Sequence, residues 1–307
     1  MRSICVLLLA ASLCACSDTP SVESKSSNVI VENSNQVLRD QITQIVSGKK
    51  ADIGVAIIGP SGDTLSIHGD QHFPMMSVAK FPQALALLHM VDEGKMKIDE
   101  KLHFTAEDLK QRTFSTLPKD HPEKEFDLSI AEALGYAVGQ SDNVTSNVIF
   151  AKEGGPKAVE DYVHSLGISD IGIAVDYWHL NDSTAPSNWS TPKAMALMLQ
   201  KYFAKEILKE DTHNLLWNAM TNGPSGAKRL KYLLPTGTVV AHKTGTGNTD
   251  DATGKIFALN DVGIIVLPGG KPICLAVFTA NSFETEEVTE DVMAQIGKAV
   301  YTFYASK

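Results

Sequence analysis

Ser77 and Lys80 stand one helical turn apart in "MMSVAK", residues 75–80, between Pro74 and the apolar run "FPQALALLHMV". A buried lysine is costly unless it is paired or its pKa shifts. If a helix starts just after Pro74, Ser77 lies at its N-terminus and Lys80 follows on the same face. A helix N-terminus favours developing negative charge, and a lysine of depressed pKa can take the serine proton. Taken alone, the same residues also fit an exposed serine and a lysine whose ammonium reaches water.

Two further motifs carry chemistry. "SDN", Ser141 to Asn143, closes the helical stretch "IAEALGYAVGQ". Its hydroxyl could relay a proton, and the Asn143 amide could hold a substrate carbonyl. By itself it is also a helix terminus rich in capping residues. "HKTGTG", His242 to Gly247, lies on a predicted strand. Lys243 offers a fixed cation, and Gly245 lets a ligand lie against the strand edge. By itself this is equally a strand followed by a turn.

These residues need a frame that brings distant segments together. "QVLRDQITQIV" places Leu38, Ile42 and Ile45 at helical spacing. "DIGVAIIGPSGDTLSIHG" reads as two short strands joined by a turn. From Ser77 to about Tyr202 the pattern is mostly helical; strands return in "TVVAHKTG", "DVGIIVLPGG" and "KPICLAVFTA". A last helix carries Val288, Val292, Ile296, Ala299 and Phe303 on one stripe. The expected fold is therefore α+β: terminal strands joined in an antiparallel sheet with the end helices against it, plus an all-helical lobe. The α/β lobe is expected over 36–70 and 225–307 and the helical lobe over 71–224, with the site between them.

Composition narrows the class. The chain has 307 residues and a formal net charge of -9. An acidic chain without a Lys/Arg cluster is a poor nucleic-acid binder. Met1-Arg2-Ser3 and the apolar "ICVLLLAASL" read as a signal segment, residues 1–15, too short for a membrane span. It ends in "LCAC", similar to a bacterial lipobox, with Cys16 as the lipidated residue. Residues 16–35 read as a polar tether. Of the four cysteines, processing would remove Cys5 and Cys14 and lipidation would consume Cys16, leaving Cys274 as a small buried hydrophobe. No spacing of cysteine and histidine suggests a metal.

S-x-x-K, S-D-N and K-T-G in this order are a specific combination, and with them the chain resembles the class A serine β-lactamases from about Gln36 to Tyr304. "FPMMSVAKFPQALAL", "RTFSTL", "QSDNVTSNVIF", "NWSTPKAM", "RLKYLLP" and "VAHKTGTG" are most similar to the branch of PER, VEB and CfxA enzymes. The resemblance implies that Ser77 is acylated by a β-lactam, that Lys80 activates it, and that Ser141 relays the proton to the departing nitrogen with Lys243 tuning it. It implies Asn143 for the acylamide side chain, and the N–H groups of Ser77 and Thr246 for the oxyanion hole. Thr244, Thr246 and Arg229 are implied for the substrate carboxylate, with Gly245 between them and Phe114 as an aromatic wall. No metal or cofactor is implied, and a monomer is expected, exported to the periplasm and held at a membrane by its lipid alone.

One position departs from the pattern. The family's deacylating base is a glutamate in E-x-x-L-N or a variant of it. Here the loop reads "IAVDYWHLNDSTAPSNWSTP". Counting back from Asn181 gives Tyr177, counting back from Pro192 gives Val175, and Asp176 lies between as the carboxylate in reach. Asp176 is thus the expected base. A cell-wall D,D-peptidase and a β-lactam sensor that stays acylated share the three motifs and remain the rival readings.

Overall fold

The computed structural model describes residues 24–307, with side chains from residue 35 onward. The expected signal segment and Cys16 lie outside the described residues. The chain divides into two compact units, Met1–Val37 and Leu38–Lys307. The described part of the first is helical and belongs to helix α1 (Ser24–Val46). The tether expected over 16–35 is thus helical from Ser24, because no glycine or proline interrupts residues 24–46.

The second unit is built on a five-stranded antiparallel sheet. Its strands are β1 (Asp52–Ile58) and β2 (Thr64–Ile67) from the start of the chain, and β8 (Val240–Thr246), β9 (Ile256–Val266) and β10 (Pro272–Ser282) from its end, in the order β2-β1-β10-β9-β8. β1 and β10 join the two halves, with Val55 opposite Val277. Both faces of the sheet are covered, so the central strands are apolar without alternation. Alternate side chains nevertheless serve different cores. Ile53, Val55, Leu275 and Val277 pack with Leu38 and Ile42 of α1 and with Val292, Ile296 and Val300 of the C-terminal helix α9 (Glu286–Ala305). Ala56, Cys274, Ala276 and Phe278 face the other helices. Cys274 is a free buried thiol, and burial pushes its pKa up to about 12.

The middle of the chain supplies α2 (Lys80–Asp92), α3 (Leu117–Asp120), α4 (Ile130–Leu134), α5 (Asn143–Glu153), α6 (Pro156–Ser165), α7 (Pro192–Phe203) and α8 (Glu210–Asn222). Helix α2 is buried on all sides through Leu88, as expected of a helix apolar all round. Five short strands also lie here: β3 (Phe73–Pro74), β4 (Lys101–Phe104), β5 (Phe126–Ser129), β6 (Ile171–Ile173) and β7 (Asn188–Ser190) form two small sheets, β3-β7-β6 and β4-β5. None of these was evident in the sequence, since runs of two to four residues are too short to show a period. No helix among the described residues is long and apolar enough to cross a membrane.

Candidate active site

The segment before α2 is a tight 3-10 turn, Met76–Ala79, that carries Ser77. Met76 takes a positive φ of 50°, a conformation that costs a non-glycine residue about 1–3 kcal/mol and is kept only where its surroundings fix it. Here the fixing is visible. Met75 N–H donates to the Asn188 carbonyl at 2.8 Å. The Asn260 amide of β9 donates to the carbonyls of Pro74 and Met75 at 2.8 and 3.2 Å. Gly245 makes room for this segment: a Cβ there would stand 2.4 Å from the Met75 oxygen.

Lys80 opens α2 and is 1% exposed. Its Nζ lies 3.3 Å from Ser77 Oγ and donates to the Ser141 carbonyl at 2.6 Å and to Asn143 Oδ1 at 2.5 Å. Burial, then the neighbouring Lys243 charge, holds its pKa well below the ordinary lysine value, with Asp142 opposing. Lys243 on β8 is equally buried and donates to Ser141 Oγ at 2.9 Å and to the Thr244 carbonyl at 3.0 Å. Burial brings its pKa down to about 7; Asp261 raises it and Arg229 lowers it. Ser141 itself has a positive φ of 62°, so that its carbonyl meets one lysine and its hydroxyl the other.

Asp142 explains the middle of "SDN". It caps α5 by accepting from Thr145 N–H at 2.8 Å, and its other oxygen accepts from Ser115 Oγ and Thr116 N–H, both at 2.6 Å. This buried carboxylate pins the 113–116 loop to the site. Its signal in sequence was the Asp-x-x-Thr of an N-cap. Asn143 is held at both ends, since its Nδ2 donates to Thr113 Oγ1 at 2.7 Å.

The remaining expected residues divide. Thr244 is buried and donates to Ser225 Oγ at 3.1 Å, while Thr246 is exposed at the end of β8. Arg229 sits beside them but is 5% exposed. It donates to Thr246 Oγ1 at 2.9 Å and pairs with Glu290 at 3.1 Å, so its charge is already matched and reaches the site through Thr246. Phe114 is 60% exposed, with its carbonyl accepting from Asn143 N–H at 2.9 Å.

The loop of the missing glutamate differs most from expectation. Asp176 Oδ1 accepts from His179 N–H at 2.9 Å and contacts its Nδ1 at 2.6 Å. The side chain this loop sends toward Ser77 and Lys80 is the next one, Tyr177. It is 4% exposed, its ring centroid lies 4.3 Å from Lys80 Nζ, and its hydroxyl donates to the Met76 carbonyl at 3.2 Å. Asn147 of α5 fixes it by accepting from its N–H at 2.8 Å. Asn188 clamps the residues before it, accepting from Ala174 and Val175 N–H at 2.8 and 3.0 Å and donating to the Val175 carbonyl at 2.7 Å. The count back from Asn181 had pointed to Tyr177; its residue type hid it.

A serine, two buried lysines of depressed pKa and a second serine linked by hydrogen bonds define an acyl-transfer site of the penicillin-recognising kind. The comparisons agree. Residues 36–304 match the β-lactamase enzyme family, and the chain belongs to it. It is 39% identical to the extended-spectrum β-lactamase PER-1 of Pseudomonas aeruginosa, over 88% of each chain. It is 37% identical to β-lactamase VEB-1 of the same organism, over 87% of this chain and 90% of the other. A solved class A β-lactamase from Bacteroides cellulosilyticus superposes with a TM-score of 0.85 at 31% identity, over 89% of this chain and 99% of the other. The resemblance drawn from the motifs holds at the level of family, branch and class A fold.

Proposed function

We propose that the protein is a serine β-lactamase acting through an ester on Ser77. The observation that carries this reading is the linked set Ser77, Lys80, Ser141 and Lys243. A neutral lysine has two N–H bonds and one lone pair. The two short contacts of Lys80 use the N–H bonds, and the Ser77 hydroxyl at 3.3 Å then faces the lone pair and donates to it. Ser77 Oγ attacks the lactam carbonyl as Lys80 takes its proton. The C–N bond breaks, and the proton passes over Ser141 Oγ, held by Lys243, to the ring nitrogen. Backbone N–H groups of Ser77 and Thr246 are the donors for the oxyanion, Asn143 meets the acylamide, and Thr244 and Thr246, backed by Arg229, take the carboxylate. Phe114 stands at the rim.

Water then cleaves the ester. Asp176 is the loop's carboxylate, but its contacts run to His179. Intact-protein mass spectrometry with a penicillin and a cephalosporin tests the reading: each adds its mass to the wild type, and Ser77→Ala takes up neither. Labelling that persists in that variant would sink it. Export under residues 1–15, lipidation at Cys16 and a monomeric state complete the proposal, supported by the signal and lipobox patterns.

A further inference from the structure

The linked set around Ser77 holds a nucleophile, a relay and a cation, but no carboxylate. The acids on two flanking segments are engaged elsewhere: Asp142 with Ser115, Thr116 and Thr145, and Asp176 with His179. In their place an aromatic ring lies over Lys80. We propose that Tyr177 is a positioning residue that sets the lifetime of the acyl-enzyme: its ring fills the space beside Ser77 and Lys80 and leaves Lys80 as the base for ester hydrolysis.

This rests on the acyl-transfer reading above. In the step it describes, a water oxygen bonds to the ester carbonyl carbon while Lys80 Nζ takes one water proton. The C–Oγ bond breaks, Lys80 returns the proton to Ser77 Oγ, and the product leaves as a carboxylic acid that ionises in solvent. The phenol cannot replace Lys80 as the base, because burial pushes its pKa up and the Ser77 side chain draws it only partly back. It serves instead as a donor to the Met76 carbonyl, which steadies the strained residue before the nucleophile.

The groups that face Lys80 are Lys243 from β8, Asp142 and Asn143 at the start of α5, Ser141 before it, Ser77, and Tyr177. With one base for both half-reactions, acylation and deacylation share the same rise with pH as Lys80 loses its proton. A carboxylate base would instead let deacylation rise in the ordinary carboxylate range, near pH ~4.

The test follows the Ser77 adduct of a penicillin by intact mass, on the full chain, across pH. The wild-type adduct should accumulate, and its decay should rise with pH alongside its formation. Tyr177→Glu should shorten its lifetime by ~10²-fold or more, the contribution of a positioned base. Tyr177→Phe, which keeps the ring, should keep the long lifetime and the pH profile. Decay with a carboxylate-like profile in the wild type overturns the proposal without any variant. So does a longer-lived adduct in Asp176→Asn, or a Tyr177→Phe adduct that decays as fast as that of Tyr177→Glu. Hydrolysis of the penicillin with no accumulated adduct also overturns it, whereas absence of both adduct and hydrolysis would overturn the acyl-transfer reading itself.

Discussion

Lys243 and Ser141 meet across the cleft, Nζ to Oγ at 2.9 Å, although one sits on the last strand of the sheet and the other before α5. Lys243 thus holds the Ser141 hydroxyl, and its charge also lowers the pKa of Lys80.

Removing that charge should therefore do two things. Lys243→Ala should slow acylation by ~10²-fold or more, as loss of acid–base assistance does. It should also let the Lys80 pKa rise, so that more of Lys80 is protonated at any given pH and the acid limb of acylation moves to higher pH. Lys243→Arg, which keeps a cation, should leave the limb in place. Stopped-flow acylation by a chromogenic cephalosporin across pH reads both effects; an unmoved limb in Lys243→Ala would separate the two lysines.

Gly245 is required by packing rather than by chemistry. In Gly245→Ala the new Cβ meets the Met75 oxygen at 2.4 Å and the Asn260 amide at 3.2 Å. The Met75 backbone cannot yield cheaply, and the Asn260 side chain is held by its own hydrogen bonds to that segment, so stability should fall by ~1–3 kcal/mol. Acylation should fall by ~10²-fold if Ser77 is displaced by about 1 Å. A variant with the wild-type melting temperature and burst rate would show that the segment has slack.

Glu153, the last residue of α5, is buried, and neither carboxylate oxygen has a well-formed hydrogen bond. Burial raises its pKa well above the ordinary value, with the Gln83 side chain and the Leu87 backbone opposing. Below about pH 4 both folded and unfolded chains hold this proton, and nothing is lost. Above it the unfolded chain releases the proton while the folded one keeps it, so stability falls as pH rises, by ~1.4 kcal/mol per pH unit, until the raised pKa is passed. Glu153→Gln should remove that slope. Denaturant midpoints of the two proteins between acid and neutral pH make the comparison, and parallel curves would refute it.

Cys16 should carry the membrane anchor. Acyl chains contribute about 0.8 kcal/mol per buried CH₂, and several together hold stably. Cys16→Ser should move the protein from the membrane fraction to the soluble one. Wild-type protein found soluble after export would rule the lipid out.

Ser77, Lys80, Ser141 and Lys243 could be found from sequence because each sits in a short motif whose spacing is set by local geometry. The sheet strands and α2 were legible as apolar runs of sufficient length, bounded by turn residues. The choice between Asp176 and Tyr177 was not. Neighbouring residues in irregular chain point different ways, and which one turns inward is decided by Asn147 and Asn188, residues remote in sequence. Arg229 shows the same limit from another side. Its type was readable, but its pairing with Glu290 on α9 was not.

The pairing of β1 with β10 has a consequence for how the enzyme comes into being. Asp52 lies opposite Ala280 and Ile58 opposite Cys274, with nearly the whole catalytic unit strung between them. Such contacts must close a long loop before they return any stability, so they form late and slowly. The hairpin of β1 with β2 is local, but β1 cannot take its place in the sheet until β10 has been made. A chain that stops short of β10 carries Ser77 and Lys80, but its β1 and β9 have no strand to join them.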